Sequence, residues 1–160
     1  MIRLARAEDN AAIAAIWNLE AIGTSATTDI EPRTPGTQAA WLDAHTENYP
    51  VVVAVEGDEV VAFGSLSPYR AKASYRWTVE DSVYVKDGYR GKGYGSEILT
   101  ELLARARAQD HHSVIARVTS ENTASLCLHR RHGFQRAGYE RQVAFKLARW
   151  LDVVTLQLLL

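Results

Sequence analysis

A segment rich in glycine and cations lies where an apolar run gives way to a helical pattern. This segment, Arg90–Gly95, reads RGKGYG and follows the run Ser82–Val85. Glycine lets successive backbone N–H groups converge on one point, and a helix N-terminus adds partial positive charge. Arg90 and Lys92 add full charges. The segment predicts a cradle for a pyrophosphate-like anion; a flexible turn with solvated cations is the alternative.

Two common nucleotide-binding motifs differ from this segment. A P-loop requires G-x-x-x-x-G-K-[ST], which does not occur in the chain. The Rossmann fingerprint requires G-x-G-x-x-G early in a βαβ unit, with an acid ending the next strand. Here the spacing is G-x-G-x-G in mid-chain, and the next predicted strand ends in Thr119-Ser120. The spacing therefore argues against ATP or NAD as the source of the phosphates.

The composition is that of an ordinary globular chain. Of its 160 residues 47% are hydrophobic and 23% are charged, and the formal net charge is −1. This supplies one core but no basic field for nucleic acid or an anionic membrane. Cys127 is the only cysteine, so an internal disulfide is excluded. No signal peptide or membrane span is recognisable, and we expect a cytoplasmic protein without a metal.

The hydrophobic pattern changes period several times along the chain. Strands are predicted at Ile2–Ala5, Val51–Val55, Val60–Leu66, Tyr75–Val85, Ser113–Val118, Phe134–Ala144 and Leu151–Leu160. Helices are predicted at Asp9–Ile22, Thr34–His45, Gly93–Gln109 and Asn122–Arg131. The order β-α-α-β-β-β-α-β-α-β-β predicts one mixed α/β (α+β) domain over residues 1–160. A bulge is expected in Ser82–Val85, where the alternation fails.

Three strings in this order resemble the GNAT superfamily of acetyl-CoA-dependent N-acetyltransferases. They are Val83–Val85, the glycine-rich segment, and the spaced set Asn122, Ser125, His129, Gly133 and Phe134. The family signature is Q/R-x-x-G-x-G/A, followed by N-x-x-[AS] before a G-F pair. The longer strings Thr78–Val85 and Arg149–Asp152 are similar to the phosphinothricin and methionine sulfoximine/sulfone acetyltransferase branch. The resemblance implies a central, mostly antiparallel twisted sheet flanked by helices.

The resemblance also implies where acetyl-CoA binds. The pantetheine arm is expected to pair with the strand Ser82–Val85, and a free N–H near Val83 to polarise the thioester carbonyl. The pyrophosphate is expected on the backbone of Gly91–Ser96, with Asn122 bonding the arm and Ser125 nearby. The expected coenzyme-binding residues are Val83, Tyr84, Val85, Arg90, Gly91, Lys92, Gly93, Tyr94, Gly95, Ser96, Asn122 and Ser125.

Acetyl transfer to an amine requires a base, because an ammonium group is not a nucleophile. Glu80, on the polar face of its strand, is the candidate base; a solvated carboxylate paired with Arg76 is the alternative. His129 stands where many family members carry a tyrosine. It is a candidate acid for the departing thiolate, or else a helix cap or coenzyme contact. Cys127 is expected in the core.

An amino-acid acceptor requires a group that binds its carboxylate. Arginine binds carboxylates bidentately, and Arg70 and Arg76 flank the loop before the Glu80 strand. In the related branch this loop lines the acceptor pocket. Tyr75, with Trp17 and Tyr69, could supply apolar walls. Surface arginines and core aromatics are the alternative interpretation.

The C-terminal strand is strongly apolar, with leucines at positions 156, 158, 159 and 160. An unpaired strand of this kind invites association. In the related branch the last hairpin, near Lys146 and Arg149–Asp152, contributes to a dimer interface. We therefore expect a homodimer, or burial of this strand against its neighbour.

The main hypothesis is transfer of acetyl from acetyl-CoA to the α-amine of a small glutamate-like acid in a ternary complex. Methionine sulfoximine, methionine sulfone and phosphinothricin are the candidate acceptors. Acetylation of a protein N-terminus, a polyamine or an aminoglycoside is the alternative within enzymes. Arg70 and Arg76 argue against cationic acceptors. A binding module that senses acyl-CoA without turnover is the alternative outside enzymes.

Overall fold

The structure is a computed structural model that describes residues 1–160 without a gap. Its strands are β1 Ile2–Leu4, β2 Val51–Glu56, β3 Glu59–Pro68, β4 Thr78–Val85, β5 Ser113–Thr119, β6 Gln135–Lys146 and β7 Arg149–Leu159. Its α-helices are α1 Asn10–Ile16, α2 Pro35–Asp43, α3 Tyr94–Ala108 and α4 Thr123–Arg131. A π-helical turn, Trp17–Ile22, continues α1. The element order is the predicted one.

The strands form one seven-stranded sheet in the order β1-β2-β3-β4-β5-β7-β6. Only β4 and β5 run parallel, and they pair only over Thr78–Glu80 and Ser113–Ile115. All other neighbours are antiparallel, which confirms the predicted mixed, mostly antiparallel α/β fold. Beyond Glu80 the two central strands separate, and this gap positions the candidate site.

Apolar side chains cover both faces of the sheet. Helix α3 buries Ile98, Leu99 and Leu102 against one face, and α1 buries Ile13 and Ile16 against the other. The contact with α3 is close: a Cβ built on Gly64 of β3 would lie 2.5 Å from Ile98 Cγ2. Glycine at this position therefore sets the distance between helix and sheet.

Two local predictions about β4 are wrong. The strand starts at Thr78 rather than Tyr75, because Ala73–Tyr75 form a 3₁₀ turn in which Tyr75 N–H bonds Lys72 O. The predicted bulge is absent from the pairing with β3, which keeps one register from Ala62 to Pro68. The alternation of polar and apolar residues fails over Ser82–Val85 because β4 separates from β5 there.

The apolar C-terminal strand is covered by its neighbours. Strand β7 pairs with β5 on one side and with β6 on the other, and Leu156 is fully buried. Burial against neighbouring strands, one of the two expected solutions, therefore protects it. None of the helices has the length and apolar character required to cross a membrane.

Candidate active site

The gap between β4 and β5 exposes main-chain groups of β4. Hydrogen-bonded pairs alternate along an antiparallel ladder, and Lys86 N–H bonds Val61 O at the end of the β3–β4 ladder. Even-numbered residues of β4 therefore bond to β3. Asp81, Val83 and Val85 direct their N–H and C=O groups toward the gap, where an extended ligand chain can pair as an added strand. This is the edge predicted to hold the pantetheine arm.

A groove of about 670 Å³, here called the outer groove, leads from the gap to the glycine-rich turn. Gly91 and Gly93 have φ values of +77° and +95°, and a Cβ on either would have no heavy atom within 4 Å. The N–H groups of Tyr94–Ser96 lie in the first turn of α3 and have no helical acceptor. No side chain caps this helix, so these groups are available to a ligand. The Tyr94 hydroxyl donates a hydrogen bond to Glu56 Oε1 at 2.7 Å. The main chain thus offers an anion seat, and the bound group stays a prediction.

The two cations of the turn have partners within the protein. The guanidinium of Arg90 pairs with the buried carboxylate of Glu20, which also accepts the Asp87 N–H at 3.0 Å. The ammonium of Lys92 lies 4.5 Å from the ring centroid of Tyr89. Of the two, only Arg90 lines the outer groove. Arg90 therefore joins the turn to the π-helical segment as well as adding charge.

Helix α4 forms the other wall of the outer groove. Asn122 Oδ1 accepts the Ser125 N–H at 3.1 Å and caps the helix, so the Asn122 amide nitrogen is left to bind a ligand. Residues at helical spacing face the groove: Ala124, Cys127, Leu128 and Arg131. The prediction that Cys127 is in the core is wrong, because its side chain is exposed on this face. Arg131 is a groove cation that the sequence did not single out.

A second cavity, here called the inner cavity, has a volume of about 240 Å³ and passes through the gap. One of its walls comes from the face of the sheet that carries α1: Trp17, Trp41 and Phe63. The opposite wall comes from α4 and its cap: Asn122, Ser125 and His129. It shares five lining residues with the outer groove: Ala26, Val83, Tyr84, Asn122 and Ser125. The size suits a molecule of amino-acid dimensions.

Glu80 lines the inner cavity at the last parallel pair before the gap. Burial raises the pKa of Glu80; the charges of Asp81 and Asp29 raise it further, and Arg117 opposes them. Pairing with Arg76 does not occur, because that guanidinium stacks 3.5 Å from the Trp77 ring centroid. A half-buried carboxylate with a raised pKa is a suitable general base near neutral pH.

His129 is 3% exposed and both of its ring nitrogens have partners. Nε2 lies 2.9 Å from Asp81 Oδ2, and Nδ1 lies 2.8 Å from the main-chain oxygen of Ser125. A carbonyl only accepts, so Nδ1 carries a proton, and a second proton is shared with Asp81. Burial lowers the pKa of His129, but Asp81 and the Ser125 carbonyl together raise it above its usual value. The thiolate-acid role stays a prediction, and it requires one of these bonds to break.

Comparison with known proteins identifies the family of this chain. Residues 11–134 match the acetyltransferase (GNAT) family. The chain belongs to this family. It is 43% identical over 162 residues to an L-methionine sulfoximine/L-methionine sulfone acetyltransferase of Pseudomonas paraeruginosa, covering 98% of this chain and 92% of that one. It is 37% identical to a phosphinothricin N-acetyltransferase of Streptomyces coelicolor over 150 residues, 91% and 88% of the two chains.

A solved GNAT structure has the same architecture. It is the phosphinothricin acetyltransferase of Sinorhizobium meliloti in complex with AcCoA, with a TM-score of 0.95 and 33% identity. The match covers 100% of this chain and 88% of that one. These similarities confirm the predicted acyltransferase family and the resemblance to its phosphinothricin and methionine sulfoximine branch.

The residues predicted to bind the acceptor lie outside the inner cavity of this GNAT chain. Arg70 donates to the Tyr69 hydroxyl at 3.3 Å and lies 5.5 Å from the Tyr75 ring centroid. Arg76 stacks on Trp77 at the exposed surface. Aromatic contacts thus hold the loop together, and none of Arg70, Tyr75 and Arg76 lines the cavity. Their acceptor-binding role stays a prediction.

A different arginine lines the inner cavity. Arg33, in the loop before α2, contacts the rings of Trp17 and Trp41, with centroid distances of 4.0 and 3.9 Å. The segment from Gly23 to Arg33 is polar and shows no hydrophobic period, so the direction of its side chains could not be predicted. The proline-initiated helix that follows, with Trp41 on it, was the one available signal that this loop is fixed.

Proposed function

We propose that this GNAT protein transfers the acetyl group of acetyl-CoA to the α-amine of a small glutamate-like amino acid. Methionine sulfoximine, methionine sulfone and phosphinothricin are the acceptors that its relatives' names suggest. One observation carries the proposal: Glu80, a carboxylate with a raised pKa, lines a cavity of amino-acid size that joins a groove ending at a helix N-terminus.

The residues present fit acetyl-CoA as the second substrate. Main-chain groups of Val83 and Val85 would pair with the arm, the Asn122 amide would donate to it, and the turn at Gly91–Ser96 would seat the diphosphate. Arg131 adds charge to the same groove. Bound acetyl-CoA supplies an activated acyl carbon whose leaving group is a thiolate.

The chain's own residues then perform the proton transfers. Glu80 accepts a proton from the acceptor's ammonium, directly or through water, and so generates the nucleophilic amine. The N–H of Val83, which faces the gap, would donate to the acyl oxygen as charge develops there. The one cysteine of the chain, Cys127, lines the outer groove and not the inner cavity that contains Glu80, which favours direct transfer in a ternary complex over an acyl-cysteine intermediate.

We also propose a homodimer formed through the β6–β7 hairpin. Near its turn the hairpin exposes five large apolar side chains: Tyr139, Val143, Phe145, Leu147 and Trp150. Phe145 and Trp150 form an exposed cross-strand pair with ring centroids 5.3 Å apart. Several large apolar side chains exposed on one hairpin are typical of a protein–protein interface.

The test is release of free thiol from acetyl-CoA with a panel of acceptors. Methionine sulfoximine, methionine sulfone and phosphinothricin represent the proposed class, while a polyamine, an aminoglycoside and a peptide N-terminus represent the alternatives. We expect kcat/KM to be highest for the amino-acid class. A preference for any other amine would contradict the proposal, and acetyl-CoA binding without thiol release would indicate a sensor.

A further inference from the structure

Arg33 is a pre-organised cation in the wall of the inner cavity. Its main chain is fixed on both sides by Asn18, whose side-chain oxygen accepts the Arg33 N–H at 2.8 Å and whose amide donates to the Arg33 oxygen at 2.9 Å. Its guanidinium donates through Nη1 to Gln38 Oε1 at 3.0 Å. Gln38 is fully buried and is held in turn by Asn10 at 3.0 Å.

The guanidinium is charged but has no carboxylate partner. Burial lowers the pKa of Arg33 to about 10, so the group is still protonated at neutral pH. The charge of Asp29 influences the guanidinium through space, but the two groups do not form an ion pair. A half-buried cation without a counter-ion is costly, and the indole faces of Trp17 and Trp41 offset only part of that cost.

The unused donors of Arg33 are its Nη2 and Nε hydrogens. Nη1 donates to Gln38, and the other two nitrogens donate no hydrogen bond to a protein group. A guanidinium fork binds carboxylates and related oxyanions in a bidentate geometry. Since the cavity also contains Glu80, an anion at Arg33 would belong to the molecule whose amine Glu80 deprotonates.

We propose that Arg33 binds an oxyanion of the acceptor, and that this contact sets the preference of the site for amino acids over neutral or cationic amines. The inference rests on the proposed function and assigns the clamp to Arg33 rather than to Arg70 or Arg76. The oxyanion is either the α-carboxylate or an acidic group on the acceptor's side chain, because a guanidinium binds both through the same hydrogen bonds.

The test measures equilibrium binding by calorimetry in the presence of CoA, together with turnover. Methionine sulfone and its α-carboxamide differ only in the α-carboxylate, while glutamate and glutamine differ in the distal one. For wild type we expect the acid of one pair to bind roughly 10- to 100-fold more tightly than its neutral analogue. Arg33→Met is expected to abolish that ratio, and Arg33→Lys, which keeps the charge without the fork, to reduce it.

Two controls separate binding from folding. Arg107→Met removes an exposed arginine at the end of α3 and should leave the ratio unchanged. Affinity for acetyl-CoA should be the same in both Arg33 variants as in wild type; if Arg33→Met does not fold, Arg33→Lys decides. An undiminished ratio in a folded Arg33 variant would overturn the assignment while leaving the proposed function intact. Failure of every acid to bind wild type would overturn both.

Discussion

At the scale of single residues, Glu80 combines partial burial with access to the inner cavity. We expect Glu80→Gln to lower kcat by roughly 10²- to 10⁴-fold near neutral pH, because the amide cannot accept the ammonium proton. Turnover of wild type should fall as the pH drops through the raised pKa of Glu80, and the variant should lose that limb. Steady-state kinetics against pH, with acetyl-CoA affinity as the control, provide the measurement.

The same substitution has an expected sign for stability. A carboxyl whose pKa is raised by folding destabilises the protein when ionised, so wild type gains stability as the pH falls through that pKa. Glu80→Gln removes the ionised form and should not lower the thermal midpoint at neutral pH. A large drop in that midpoint would show that Glu80 is a structural residue rather than a base.

Asp81 and His129 form a buried pair whose loss should depend on pH. Asp81→Asn is expected to destabilise the fold by about 1–3 kcal/mol, because it removes a charged acceptor from a buried donor. Since the pKa of His129 is raised by the fold, the pair stabilises most at pH values below the usual histidine pKa. The difference between wild type and variant should shrink as the pH rises through the raised pKa. Chemical denaturation across that range measures it, and a difference independent of pH would contradict the pairing.

At the scale of elements, the glycine-rich turn can be tested with a matched control. Gly93 has φ +95° in the turn before α3, and Gly57 has φ +61° in the turn between β2 and β3. At either position a valine meets left-handed strain, while its Cβ has no heavy atom within 4 Å, so each substitution should cost about 1–2 kcal/mol. Only Gly93→Val should weaken acetyl-CoA binding, which a thermal-shift titration reports. Equal affinity in the two variants would contradict a phosphate seat at this turn.

Local patterns in the sequence predicted most elements and several residues that line the outer groove. Periodicity fixed the helices, and Gly93 and Asn122 are signals that act within a few residues of the chain. Arg33, in the wall of the inner cavity, was missed because its position depends on contacts across the fold. Arg33 lies in a loop that shows no hydrophobic period, and Glu20 lies in a π-helical turn that the sequence predicted as α-helix. Cys127 was wrongly assigned to the core because α4 shows one face to a groove that only tertiary packing creates.

At the scale of the whole molecule, the hairpin surface predicts association. Trp150→Glu, at the centre of the exposed pair with Phe145, should convert a homodimer to a monomer, because it places a charge in an apolar interface. Leu19→Glu adds the same charge at an exposed apolar position outside the hairpin and should leave the assembly unchanged. Light scattering coupled to size exclusion measures the mass. A monomeric wild type would contradict the proposed dimer.

The separation of β4 from β5 has a kinetic consequence. The inner cavity and the outer groove share only five lining residues. In the proposed function the acceptor enters the first and acetyl-CoA the second, so neither substrate excludes the other. Double-reciprocal plots at several fixed acceptor levels should intersect rather than run parallel. The product CoA should compete with acetyl-CoA for the outer groove. Because the inner cavity stays accessible, the acceptor can still bind to the CoA complex, and an abortive complex should form at high CoA concentration.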